Sequence, residues 1–240
     1  MLLLSLDTST ATVTAGVVRV LLPREITAGP AEAGAELPVR VLAQHTADEP
    51  FAHAEKLMPL AEDALTEAGV TLRALDAVVV GLGPGPFTGL RVGIATAEAL
   101  GDALDRPVLG VPSHDGVALS LSIHQPPGPF LVVTDARRKE VYVTAYSHLR
   151  HRIGDPQVLA PSVLPDWIAS LAAAPVAITG AGAALAGLDL PLLEPGTASL
   201  GLVRAAGPAL ATGAVPGPLT PLYLRRPDAT EPTAGKSVLA

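Results

Sequence analysis

Leu2-Leu3-Leu4-Ser5-Leu6-Asp7-Thr8-Ser9 is an apolar run that stops at an aspartate and then turns. After it, Val13, Ala15 and Val17 alternate with Thr12, Thr14 and Gly16, the period-two pattern of a half-buried strand. Together the two segments predict a hairpin around Asp7-Thr8-Ser9. The arrangement returns at Leu131–Thr134, which ends at Asp135 and precedes Val141, Val143 and Ala145 alternating with Tyr142, Thr144 and Tyr146. In each copy the aspartate stands six positions before the first inward residue of the return strand, Asp7 to Val13 and Asp135 to Val141. The spacing predicts two hairpins in matching register.

A second pair of elements follows in the same order. Ala77–Val80 leads into Gly81-Leu82-Gly83, and Val176–Thr179 leads into Gly180-Ala181-Gly182, each a buried-strand run closed by glycines that turn tightly. A strand followed by Gly-x-Gly is common in α/β proteins, so neither pair alone establishes duplication. The two together predict two α/β lobes with a cleft between them. The lobes are placed at 1–107 and 108–225, with a mobile Pro- and Thr-containing tail at 226–240. Leu21–Pro38, rich in Pro, Gly, Ala and Glu, is predicted as an enlarged hairpin loop.

Two helices are expected in the first lobe. His53–Ala68 carries Leu57, Leu60, Ala61, Ala64, Leu65 and Ala68 at helical spacing and ends at Gly69. Phe87–Leu104 has few charged positions, and Gly89, Gly93, Ala97 and Gly101 recur every fourth residue along it. Such a side-chain-poor ridge suits close packing on the lobe's own sheet and suits a partner's helix equally.

Composition narrows the function. With 16 basic and 23 acidic residues the net charge is −7, which opposes broad contact with phosphate backbones. Cysteine is absent, excluding disulfides, thiolate metal sites and thiol nucleophiles, and a cytoplasmic setting is expected. Met1 leads into a strand without the basic and apolar segments of a secretory signal. Asp166 to Asp189 lacks internal charge but is broken by Pro175, Gly180 and Gly182, so no membrane span is expected there.

The candidate chemistry lies at the hairpin turns. Asp7 and Asp135, at equivalent strand ends, are placed to face each other across the cleft and hold a metal–nucleotide complex, with Thr8 and Ser9 meeting phosphate. Gly180 and Gly182 complete this cofactor-binding set. Local hydrogen bonding by Asp and Ser/Thr at turns accounts for the same residues as well. The glycine segment Gly81–Gly89 opens a helix after a strand, as phosphate loops do, but lacks the Lys-Ser/Thr of a P-loop and has Thr88 where a dinucleotide loop has its last glycine. The histidines form no convincing metal pair, and neither a Gly-x-Ser-x-Gly elbow nor a His-Glu-x-x-His is present. Arg137, Arg138, Lys139 and Arg150, Arg152 make a small basic patch whose ordinary explanation is solvated loops.

At this point the residues resemble one family. Leu4–Thr10, then His53-Ala54-Glu55-Lys56-Leu57-Met58-Pro59-Leu60, then GLGPGPFTGLRVG at Gly81–Gly93, then Asp135-Ala136-Arg137 with Glu140-Val141-Tyr142, and Pro221–Arg225 look like the TsaB (YeaZ) family in unbroken order. The resemblance implies an α/β, actin-like (ASKHA, ribonuclease-H-like) duplicated two-lobed fold. It also implies a non-catalytic subunit that pairs with its catalytic paralogue TsaD, alongside the ATPase TsaE, in N6-threonylcarbamoylation of adenosine 37 in tRNAs reading codons that begin with A. In TsaD a histidine pair binds the metal just after the corresponding helix; here Val111–Ala118 retains His114 and has Ala118 in the other position, so no catalytic metal is expected. ATP with magnesium is expected to bind weakly or vestigially, and tRNA mainly through the complex. Family pairing through two helices of the first lobe places candidate contacts at His53, Lys56, Leu57, Leu60, Gly89, Gly93 and Ala97, with a homodimer possible for the chain alone. The enlarged Leu21–Pro38 segment departs from the family's short connection. The alternative is an autonomous ASKHA-type nucleotide-binding phosphotransferase or hydrolase using the cleft aspartates.

Overall fold

The computed structural model describes residues 1–21, 38–49, 52–121, 126 and 128–225. Except for Leu21 and Pro38, the expected loop at Leu21–Pro38 lies outside these residues, as does the tail at 226–240.

Among the described residues, ten strands form two five-stranded sheets. The first contains β1 (Leu2–Asp7), β2 (Val13–Val20), β3 (Val39–Ala47), β4 (Ala77–Gly81) and β5 (Val108–Val111), in the order β3-β2-β1-β4-β5. The second contains β6 (Phe130–Asp135), β7 (Val141–His148), β8 (His151–Leu159), β9 (Ala177–Thr179) and β10 (Leu192–Leu193), in the order β10-β9-β6-β7-β8. Counted from its own first strand, each sheet therefore runs third, second, first, fourth, fifth. The first three strands are antiparallel and the last two are parallel to the first. This is the ribonuclease-H-like sheet present twice, the duplicated plan of actin-like proteins.

Helices α1 (His53–Ala68) and α2 (Phe87–Leu104) have the bounds that the sequence predicts. α1 forms because Leu57, Ala61, Ala64 and Leu65 fall on one face, and it stops at Gly69, whose φ of 65° suits glycine. Both helices cover one face of the first sheet, packing on Leu4, Leu6, Val13, Ala15 and Val17. The sequence read β2 as half buried, yet both its faces are covered. The second cover is α5 (Ala198–Thr212), which returns from the end of the chain and packs Leu202, Val203 and Ala206 against Leu3, Val18 and Val20. A division after residue 107 would thus separate β5 from the sheet it completes and assign α5 away from the sheet it covers.

Helix α3 (Ser113–Ser120) joins the lobes, lying between α5 and the second sheet. Its approach to α5 requires glycine at position 201, because a Cβ there would overlap the carbonyl of Gly116, whereas a Cβ on Gly116 would press on the Leu202 side chain at 3.0 Å. The second sheet's outer face packs under α4 (Leu164–Ala169) through Leu131, Val133, Val141 and Val143. Asp166 to Asp189 is divided among α4, β9 and a short 3-10 turn, and among the described residues no helix is long and apolar enough to cross a membrane.

Candidate functional site

Between the lobes lies a cleft of about 200 Å³ whose lining includes Asp7, Ser9, Ser113, His114, Thr134 and Gly180. Three of the predicted cofactor-binding residues, Asp7, Ser9 and Gly180, meet there. The others do not. Thr8 is fully buried and donates its hydroxyl to the Gly89 carbonyl at 2.7 Å. Gly182 packs against the backbone of Thr134 and Asp135.

Asp135 does not face Asp7, and the pairing register explains why. Asp7 pairs with Thr14, whereas Asp135 pairs with Val141, so the equal sequence spacing hides a one-residue difference in register. Along β1, Asp7 shares a face with Leu3, on the side covered by α5; along β6, Asp135 shares a face with Leu131 and Val133, on the side covered by α4. A shift of one residue turns a side chain to the other face of a sheet. Thr134 consequently occupies the cleft, and Asp135 instead accepts the Arg137 N–H at 2.6 Å.

Burial pushes the Asp7 carboxyl above the ordinary carboxylate range, against the lowering effect of hydrogen bonds from Ser9, Ser113 and Thr8. Among the described residues lining the cleft there is no lysine or arginine to draw a triphosphate. The glycine segment offers little more. Its Leu82 N–H donates to the Val111 carbonyl, its Gly83 N–H to the Ser113 hydroxyl, and Pro84 and Pro86 have none to give. Gly85 lies against the Ser9 backbone so closely that a Cβ would overlap it.

His114 shows where the metal reading of this position leads. Its Nδ1 lies 2.7 Å from the Thr144 hydroxyl and its Nε2 lies 2.9 Å from the Thr134 hydroxyl, with the ring 1% exposed. Burial lowers its pKa to about 3, so the imidazole is neutral. Both nitrogens are thus engaged and Ala118 stands one turn on, so the residues do not fit a two-imidazole metal site. Asp115 beside it receives a bidentate Arg152 pair at 2.8 and 2.5 Å and the Tyr146 hydroxyl at 2.7 Å. These bonds fix α3 to the second sheet. The partners come from strands too far along the chain for local pattern to reveal them.

The expected docking residues divide by burial. Leu57, Gly89, Gly93 and Ala97 are buried within the lobe, and a Cβ on Gly93 would overlap the Thr8 hydroxyl. The small-residue ridge is therefore internal packing, and these four give a partner no surface. His53, Lys56 and Leu60 remain partly exposed, with His53 Nε2 2.8 Å from the Thr10 carbonyl and Lys56 3.0 Å from Glu49.

The last described segment also has a place that the sequence did not disclose. Leu222 donates its N–H to the Leu82 carbonyl, Tyr223 packs on Phe87, and Arg225 binds the Ala136 carbonyl and Glu140. It is a strap from the glycine loop of one lobe to the hairpin of the other.

Fold and cleft define a duplicated ribonuclease-H-like protein in which, among the described residues lining the cleft, Asp7 faces Thr134 and Gly180 rather than a second aspartate. Residues 47–164 match the TsaD family, described as tRNA N6-adenosine threonylcarbamoyltransferase. An uncharacterized protein of Mycobacterium tuberculosis is 43% identical over 227 residues, which is 94% of this chain and 92% of that one. TsaB of Escherichia coli, named as a tRNA threonylcarbamoyladenosine biosynthesis protein, is 30% identical over 126 residues, covering 51% of this chain and 54% of that one. A crystal structure from Pseudomonas aeruginosa, described as similar to peptidase YeaZ, superposes with a TM-score of 0.65 at 30% identity, covering 93% and 99% of the two chains. The chain belongs to the TsaB (YeaZ) family.

Proposed function

We propose that this chain is the non-catalytic TsaB-type subunit of a tRNA threonylcarbamoyltransferase, assembling with a TsaD-type catalytic paralogue and a TsaE-type ATPase. The observation that carries this reading is His114, whose two nitrogens are held by Thr134 and Thr144 with alanine at the second imidazole position. In the paralogue that region supplies the metal site; here it supplies hydrogen bonds that hold α3 to the second sheet. The name of the E. coli relative supports the same pathway.

Docking falls to the outer face of α1, where His53, Lys56 and Leu60 are partly exposed. The test is reconstitution with a TsaD homologue, a TsaE homologue, tRNA and the threonylcarbamoyl donor. Co-elution with the TsaD homologue and modification of adenosine 37 only when this chain is present are expected. Full modification without it would overturn the reading.

One observation favours a second reading, an autonomous ASKHA-type phosphotransferase or hydrolase: the cleft retains Asp7 and has room for a ligand. Saturable ATP turnover with magnesium, abolished by Asp7→Asn, would establish it. The expected outcome is weak binding and no turnover.

A further inference from the structure

The two matching hairpins carry opposite tips. At the first, Thr8 and Ser9 are 0% and 4% exposed and lie against the glycine loop and α2. At the second, Arg137, Arg138 and Lys139 are all exposed, and all three hold a left-handed backbone, with φ of 64°, 52° and 63°. That region is disfavoured for any residue carrying a Cβ, and glycine or asparagine usually occupies it. Here three long cations do. Strain of this kind persists when surrounding bonds over-determine it.

Those bonds are present. Asp135 accepts the Arg137 N–H, the Ala136 N–H donates to the Glu140 carbonyl at 3.0 Å, and Arg225 of the strap donates to the Ala136 carbonyl at 2.8 Å. Two residues before Arg225, Tyr223 lies 4.8 Å from Phe87 between ring centres, and the Arg91 guanidinium sits 4.1 Å above the Phe87 ring. Phe87 and Tyr223 are 41% and 37% exposed in a chain with only three Phe, three Tyr and one Trp. The strap thus joins a cationic hairpin tip to an accessible pair of rings. Arg152, which the sequence grouped with this tip, is committed to Asp115 instead.

We propose that the β6–β7 tip, with the Phe87–Tyr223 rings and Arg91, is an RNA contact surface. Arg137 and Lys139 would meet backbone phosphates, and the rings would stack an unpaired base. The inference rests on the tRNA reading above, since it names where this subunit touches that substrate. A net charge of −7 opposes non-specific contact with a polyanion, so a cluster of exposed cations at one hairpin tip is a local exception to the chain's overall charge.

The experiment is an anisotropy titration of fluorescent transcribed tRNA with the full chain bound to its TsaD homologue, across a salt series. The double variant Arg137→Gly/Lys139→Gly removes both charges while placing glycine where the backbone is left-handed, so it keeps the fold. It is expected to weaken binding about tenfold or more at low salt and reduce the slope of log affinity against log salt by about 2. Tyr223→Ala is expected to weaken binding severalfold with the slope unchanged. Arg73→Gly, at an exposed position of the 3-10 turn Leu72–Ala74, is expected to do neither. Unchanged affinity in the double variant would overturn the proposal. So would an equal loss in Arg73→Gly, or a loss of TsaD co-elution with tRNA affinity intact, which would make this a protein-facing surface. Co-elution scored on wild-type chain tests the assembly reading separately, so the two can fail independently.

Discussion

The hydroxyl of Thr8 fills the place where a side chain on Gly93 would begin. The same hydroxyl donates to the Gly89 carbonyl at 2.7 Å, so the first hairpin turn and the first turns of α2 share one small contact. Adding a methyl to this packed site is expected to destabilise the fold by about 1–3 kcal/mol, although alanine suits a helix better than glycine. Thr8→Ala removes the overlapping atom. Urea unfolding of Gly93→Ala, Thr8→Ala and the pair should therefore show a double variant more stable than the sum of the single losses predicts. Strict additivity would mean that the two residues do not touch.

Acid should loosen the molecule through His114. Its folded pKa is depressed to about 3 from an ordinary 6.5, so the unfolded chain takes up a proton that the folded chain refuses over that interval. Stability from this group is complete above pH 6.5 and is lost as pH falls toward 3. Between pH 7 and pH 5 the loss is about 2 kcal/mol. Asp7 works in the opposite direction: its carboxyl is raised by burial, so its contribution is greatest at low pH and declines as pH rises through its folded value. Comparing urea unfolding of wild type and His114→Gln at the two pH values isolates the histidine. An equal pH dependence in both would assign the effect elsewhere.

The hairpins, both Gly-x-Gly strand ends, and helices α1 and α2 were legible because each is written in local periodicity and turn residues. The register at Asp135 was not. Six positions separate each aspartate from its return strand, but the strand's face depends on which residues pair, and Asp7 pairs one residue farther along than Asp135 does. Composition also could not show that the ridge of Gly89, Gly93 and Ala97 turns inward, because close packing on a sheet and on a foreign helix demand the same small residues. α5 escaped altogether, and with it the reason that β2 is buried on both faces. The ties of His114 to Thr134 and Thr144 link residues 20 and 30 positions apart, which no periodicity records.

The junction between the lobes depends on the α3–α5 crossing. A Cβ on Gly201 would overlap the Gly116 carbonyl and approach the Ser120 Cβ at 3.0 Å. Backbone cannot yield as a flexible side chain can, so Gly201→Ala is expected to cost about 3 kcal/mol, at the upper end of overpacking penalties. The measurement is thermal unfolding followed by circular dichroism. Gly207 lies on the same helix with nothing near its missing Cβ, so Gly207→Ala is the control and should be neutral or slightly stabilising. Equal melting temperatures for the two variants would show that the helices do not meet at Gly201.

Stability and binding are expected to move in opposite directions at the β6–β7 tip. Arg137 and Lys139 occupy left-handed backbone at φ of 64° and 63°, which is unfavourable by about 1–2 kcal/mol for a residue with a Cβ. Replacement by glycine removes that penalty but gives the unfolded chain more freedom, and the balance should favour the folded state by about 0.5–1 kcal/mol at each position. Both side chains are exposed, so little packing is lost. Arg137→Gly and Lys139→Gly should each raise the urea midpoint while leaving the slope of the transition unchanged. A tip that had cations only because nothing forbade them would gain stability by this exchange with no functional loss. If RNA contact is what retains them, the more stable variants are the ones that bind tRNA worse.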